Sequence, residues 1–349
     1  MKSAFVSSAA VSQAMRYSLM RMQSELVVAQ KEVSTGRVAD AGLALGTRTG
    51  QSVSFARDIE RLNGIVDSNS LASSRLKATQ DALSQITTVG QSFLATLTAS
   101  ASGDASKTVT LTEATGTIEA LTSILNSSLN GEYLFAGINT DARPLDDFTK
   151  PGSPAKAAFD AAFSTHFGFA QSNPLAAGIT SAQMDTFMDT IVEPQFLGVG
   201  WETNWSSASD QRIVSRIAMN ETAPTSVSAN DEGLRKLVMA AASISGLVDS
   251  EISTSARDAL VQKALGLVGE ALGAIAGAQS EAGIAENRVT RASERITLQI
   301  DLFERNILNM EAIDPYEAST RVTSLLSQIE TSYALTARIQ QLSLVRFLS

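Results

Sequence analysis

The chain has no cysteine. Disulfides, thiolate metal sites and cysteine nucleophiles are therefore excluded. Histidine is almost missing as well: His166 is the single one in 349 residues. It lies in a Phe-rich stretch with Phe163, Phe167 and Phe169, and no nucleophile motif or metal-ligand spacing accompanies it. A structural or merely exposed histidine is the reading that fits. Aromatic residues amount to 5%, too few for a typical sheet sandwich and better suited to long helices packed at close range. The formal net charge of −9 argues against nucleic-acid binding. No compact apolar run precedes a small-residue cleavage site in Met1–Gln30, so no secretory signal is expected. No stretch reaches the ~20 apolar residues of a membrane helix, so no membrane insertion is expected. The most apolar window, Ala271–Ala278, is short and rich in Ala and Gly.

Chemistry-bearing motifs are lacking too. Gly42, Gly46 and Gly50 are spaced for neither a dinucleotide turn nor a phosphate loop. Lys107-Thr108 follows Ser106 where a phosphate loop needs Gly, which suggests a turn. Asp141, Asp146 and Asp147 lack the alternating oxygen ligands of a calcium loop and read as a solvated loop. No catalytic, cofactor-binding or metal-ligating residue is assigned, and no enzyme is expected.

What the chain has is helical rhythm, strongest at its two ends. Met15, Leu19, Met22, Leu26, Ala29 and Val33 recur at alternating steps of four and three. Val322, Leu326, Ile329 and Tyr333 do the same near the other end, and Ile339, Leu342 and Val345 continue toward the terminus. Apolar residues spaced about 3.5 apart line one side of a helix, and that side needs a partner. The same rhythm runs from Phe55 through Ile59, Leu62, Val66, Asn69, Ala72, Leu76, Thr79, Leu83, Ile86, Gly90 and Phe93 to Leu97. A helix of that length reaches roughly 60 Å. Ser102–Lys107 interrupts the pattern, and a further helix carries Ala114, Ile118, Leu121 and Leu125. In the second half, Leu234–Ile244 starts a shorter helix. Leu260, Ala264, Leu267, Ala271, Ala274 and Ala278 then lead into a long one that reaches Met310. Gly269, Gly273 and Gly277 recur in it at every fourth position. They are tolerable if a neighbouring backbone lies against them, and otherwise mark a flexible section. Asp314-Pro315-Tyr316-Glu317 reads as the start of a last helix, from Pro315 to about Phe347.

Residues 140–232 differ in kind. They hold six of seven prolines, both tryptophans and seven of thirteen phenylalanines. Residues 141–232 carry twelve acids against five bases, whereas residues 1–37 are net basic by three. Ser206–Met219 suits a strand and Ala155–Phe163 a short helix. The expected fold is mainly α: a long antiparallel coiled-coil or helical bundle built from paired N- and C-terminal segments, with a small mixed or β-containing domain inserted at the tip. The expected parts are terminal arms (1–36 with 315–349), a core bundle (37–139 with 233–314) and a variable outward-facing domain (140–232).

Local motifs add a resemblance. Leu26–Val33 is followed by Ser34-Thr35-Gly36-Arg37, similar to a helix closed by a Gly-Lys/Arg loop, after which a second helix is expected near Ser54. The run Asn130-Gly131-Glu132-Tyr133-Leu134-Phe135-Ala136-Gly137 is the most specific piece. Gln328–Leu335, with Ile339 and Leu342-Ser343-Leu344, resembles a closing helix. On these residues the chain resembles the flagellin superfamily and, within it, the hook–filament junction proteins, the third class of hook-associated protein. The motif residues carried over are Gly131, Tyr133, Leu134, Phe135, Ala136 and Gly137. The loop Ala39–Gly46 departs from the Ser-Asp-Asp-Pro pattern of many members, so its contacts do not transfer.

The resemblance implies a structural component of the bacterial flagellum at the hook–filament junction. It implies export without a cleavable signal, unfolded through the flagellar type III channel, with a cytoplasmic chaperone masking the C-terminal arm. It implies an extracellular location and assembly through the terminal helices. The implied partners are copies of the chain in a ring, the other junction protein, and flagellin. The assembly residues would be Met15, Leu19, Met22, Leu26, Val33, Val322, Leu326, Ile329, Tyr333, Ile339, Leu342 and Val345. The alternatives are a flagellin filament subunit, a cytosolic coiled-coil scaffold, and a hydrolase within 140–232, for which no constellation exists.

Overall fold

The computed structural model describes residues 8–347, and side chains over 10–338. The described chain is mainly α-helical. It forms two compact units, one from residues 1–63 and 297–349, the other from 64–296. Two helices of more than fifty residues, α3 (Thr49–Ala101) and α10 (Thr254–Glu311), contribute to both. The helix expected from Ser54 starts five residues earlier.

The first unit holds α1 (Ser8–Thr35), the one-turn α2 (Ala41–Leu45), the start of α3, the end of α10, and α11 (Pro315–Phe347). The rhythm of α3 faces α10 here: the Phe55 and Phe303 rings stack at 5.1 Å between centroids. Asp314 caps α11 through hydrogen bonds from the backbone N–H of Tyr316 (2.8 Å) and Glu317 (3.4 Å). Pro315 occupies the first turn, where its missing N–H is not needed.

The second unit holds the rest of α3 and α10, with α4 (Lys107–Leu125) and α9 (Glu232–Leu247) between them in sequence. Ser106 does not end a phosphate-type turn. Its Oγ accepts from Val109 N at 3.3 Å and caps α4. The core joins Phe93 and Leu97 of α3, Ile118 and Leu121 of α4, Leu237 and Val238 of α9, and Leu260 and Val268 of α10. Helix α9 is buried on all sides from Leu237 to Ile244. Lys236 escapes burial by bridging Glu232 and Glu270 at 2.7 and 2.8 Å, and these carboxylates push its ammonium up to about 12.

Residues 140–232 pack onto the same core. They form α5 (Pro154–Phe167), the short helices α6 (Ser181–Phe187), α7 (Glu193–Leu197) and α8 (Gly200–Asn204), and an antiparallel ribbon of β3 (Val214–Ala218) and β4 (Glu221–Pro224). A π-turn at Met188–Val192 joins α6 to α7 just before Pro194, where the missing N–H disturbs the regular ladder. Phe148 stacks on Trp205 at 5.1 Å, and Trp201 Nε1 donates to Asn230 Oδ1 at 2.7 Å. The ribbon lies on α3 and α10, with Ile217 and Ala223 against Leu76, Ala285 and Val289. Its outer charge is fixed by Glu221, which binds Arg288 and Arg295 and is held below the usual carboxylate range by them.

The 18-residue apolar window of α10 is long and apolar enough for a membrane span by length and composition. In this structure Leu260, Ala264, Val268, Ala271 and Ile275 place one face of it in the core. The exposed face carries Gly269, Gly273 and Gly277. A Cβ added at any of these meets nothing within 4 Å, so among the described residues no backbone lies against the stripe. The helix also runs through it without a break.

Candidate functional site

The arms form the candidate assembly interface. Helices α1 and α11 pack along each other. On α1 the inward residues are Met15, Leu19, Met22 and Leu26, half-buried, and Ala29, fully buried. The next inward position is Glu32, and Val33, expected in the seam, is exposed. On α11 the seam is Ala318, Val322, Leu325, Ile329, Ser332 and Thr336. Leu326 and Tyr333 flank this seam and are 42% and 52% exposed. Leu325 and Leu326 are adjacent and equally apolar, so spacing alone cannot choose between them. Ile339, Leu342 and Val345 fall on the last turns of α11, with side chains outside the described residues.

Polar ties fix the pairing. Gln23 Nε2 donates to the Tyr333 hydroxyl at 2.9 Å, and Arg321 Nη1 reaches Glu32 Oε2 at 3.4 Å. The outer faces remain apolar in places: Tyr17, Met20 and Val27 on α1, Leu326 and Leu335 on α11. Large apolar side chains left in water on a thin helical pair mark a surface awaiting a neighbour.

The 130–137 run belongs to the second unit and does a different job. Asn130 and Gly131 have φ of +54° and +88°, the left-handed pair of a type I′ turn. They connect β1 (Ser128–Leu129) to β2 (Glu132–Tyr133). Arg75, buried on α3, grips this hairpin through Glu132 Oε2 and Tyr133 O, both at 2.7 Å. Leu134, Phe135 and Ala136 are buried, and the Phe135 carbonyl accepts from Ala229 N at 2.8 Å. Gly137 (φ +63°) lies so close to the 209–211 backbone that a Cβ would meet the Ser209 carbonyl oxygen at 2.3 Å. The run is a joint that ties α4, α3 and the aromatic segment together.

The other residues singled out in the sequence lie in the aromatic segment. His166 is exposed and packs edge-on against Phe167, with ring centroids 4.7 Å apart. Asp146 accepts from Ser153 Oγ and Asp147 from Thr149 N, as in a capped loop. Among the described residues no cluster of three or more acidic or histidine side chains is placed to hold a metal. Sequence reasoning missed Glu32 and Glu311, because a carboxylate inside an apolar rhythm gives no periodic signal.

The solved structure of a candidate flagellar hook-associated protein from Vibrio parahaemolyticus is similar to this chain, with a TM-score of 0.52 and 11% sequence identity. The similarity covers 76% of this chain and 97% of that one, and at this identity it speaks for the fold. No curated protein matches the sequence. The family models are more specific. The bacterial flagellin N-terminal helical region matches residues 6–140, from α1 through the joint, and the C-terminal helical region matches residues 265–348, which take in most of α10 and α11. Since these two matches cover both arms and the long helices that continue from them, the chain belongs to the flagellin superfamily.

Proposed function

We propose that this chain is the hook–filament junction adaptor of the flagellum, a structural subunit that links the hook-associated ring below it to the flagellin filament above. Membership of the flagellin superfamily makes it a structural component of the flagellum. The observation that carries the assembly role is the α1–α11 pair, whose seam is closed while its outer faces still expose Tyr17, Met20, Val27, Leu326 and Leu335. Copies of the chain in a ring would cover these residues, and their burial would supply ordering energy to the arms. Met15, Leu19, Met22, Leu26, Val322 and Ile329 would set the pairing on which that surface is displayed. The run from Gly131 to Gly137 supports the junction over the filament. The arms would be joined by a core bundle (37–139 with 233–314), and residues 140–232 would face outward.

In this reading the chain travels unfolded through the type III channel, held by a cytoplasmic chaperone on its C-terminal arm, and meets the other junction protein and flagellin outside the cell. A flagellin filament subunit is the second reading, equally compatible with the family models. Immunogold labelling of intact flagella separates the two. The junction reading predicts one labelled band between hook and filament, with the protein scarce in sheared filaments. Label along the whole filament overturns it in favour of the second reading.

A further inference from the structure

The tripeptide Leu-Asn-Gly occurs twice in the chain, at Leu62–Gly64 and Leu129–Gly131. The asparagine and glycine are exposed in both copies. Glycine leaves its amide nitrogen unhindered, and that nitrogen can attack the side-chain carbonyl carbon of the asparagine before it. The five-membered ring so formed needs the nitrogen and the asparagine Cβ on the same side of the Cα–C bond. For an L residue this alignment falls at ψ of about −120°, the value of the first central residue of a type II′ turn.

The two copies differ in what separates them from that geometry. Asn63 and Gly64 lie well inside α3, and an α-helix holds ψ at about −42°. Swinging ψ there breaks the helical bond from Gly64 N–H to the Glu60 carbonyl and opens the helix. Asn130 (φ +54°) and Gly131 (φ +88°) are the central residues of the turn between β1 and β2. Rotating the one peptide plane between them converts type I′ to type II′. That moves ψ of Asn130 from about +30° to about −120° while its φ stays where it is. The Leu129–Glu132 pairing that closes the hairpin is kept, and the turn's own bond joins those two residues without using Gly131 N–H. Space around Gly131 is open, since an added Cβ would meet nothing within 4 Å.

We propose that Asn130 is a self-modification site, converted through a cyclic imide to aspartate and isoaspartate. Gly131 N bonds to Asn130 Cγ and releases its proton to water. The Cγ–Nδ2 bond breaks, and the nitrogen takes up a proton and leaves as ammonia. Water then opens the ring, at Cγ to give aspartate or at the main-chain carbonyl to give isoaspartate. One water is consumed and one ammonia released, with no oxidation or reduction. Isoaspartate lengthens the turn by one main-chain carbon, which the two-residue register cannot hold. Glu132 reaches the buried Arg75 at 2.7 Å from the residue next to that turn, so the modification loosens the joint. The inference rests on the turn alone and holds for a junction or a filament subunit alike.

Incubating the folded full-length chain at mildly alkaline pH tests it. Peptide mapping by mass spectrometry, with an isoaspartyl methyltransferase to mark isoaspartate, follows both sites. Isoaspartate should build up at 130 more than about tenfold faster than at 63, because Asn63 waits on helix opening. In denaturing urea the two identical tripeptides should react at similar rates. Equal rates in the folded chain, faster reaction at 63, or no isoaspartate at 130 over a time that converts the unfolded chain would each overturn the proposal.

Discussion

Gly137 stands where no side chain fits. Its φ of +63° is one that L residues rarely adopt, and the Ser209 and Gln211 carbonyl oxygens occupy the space of a Cβ. Gly137→Ala should therefore cost more than about 2 kcal/mol, measured by urea unfolding of the second unit, while the arms keep their pairing. The same scale explains three apparent errors in the apolar rhythm of α3. Asn69 is buried because its amide donates to the Ile217 carbonyl of the ribbon at 2.9 Å and to Ser293 Oγ at 3.0 Å. Thr79 is buried because its hydroxyl turns back to the Arg75 carbonyl. Gly90 is small because Leu272 Cδ2 lies 2.9 Å from where its Cβ would be. Their positions were legible from the sequence, since each falls on the step of three or four. The reasons for Asn69 and Gly90 were not, because their partners lie on other elements, up to 224 residues away.

At the scale of elements, the glycine stripe of α10 gives the sharper test. Gly269, Gly273 and Gly277 face open space, so a methyl group added at Gly273 meets nothing. Gly273→Ala should stabilise the isolated chain by up to about 1 kcal/mol through helix propensity and a less flexible unfolded state, read as a rise in the urea midpoint. Destabilisation of the monomer would mean that something already lies on the stripe. The long helices themselves were readable because a 3.5-residue rhythm sustained over many turns has no other physical solution. The register of α11 was not, since Leu325 and Leu326 satisfy the same pattern and only the packing of Ala318, Val322 and Ile329 on α1 selects the first. The aromatic segment 140–232 was harder still. It has no period, and its helices are set by caps such as Ser153 and Thr180 and by one shared core.

At the scale of the whole molecule, the two units carry different burdens. The second has large buried side chains, including Phe159, Phe163, Phe187 and Phe196. The described part of α11 buries little beyond Ala318, Leu325 and Ile329. Deleting Pro315–Ser349 should therefore leave a folded, soluble chain with the urea transition of the second unit intact. That chain should no longer assemble, which sedimentation in the presence of parent protein would report. A truncated chain that still incorporates would show that the arms are dispensable.

Both tryptophans, Trp201 and Trp205, are stacked 5.8 Å apart inside the second unit, whereas Tyr17, Tyr316 and Tyr333 belong to the first. Indole emission thus watches one half of the protein and phenol emission largely the other. A single unlabelled sample, excited at two wavelengths, can follow each half melting on its own.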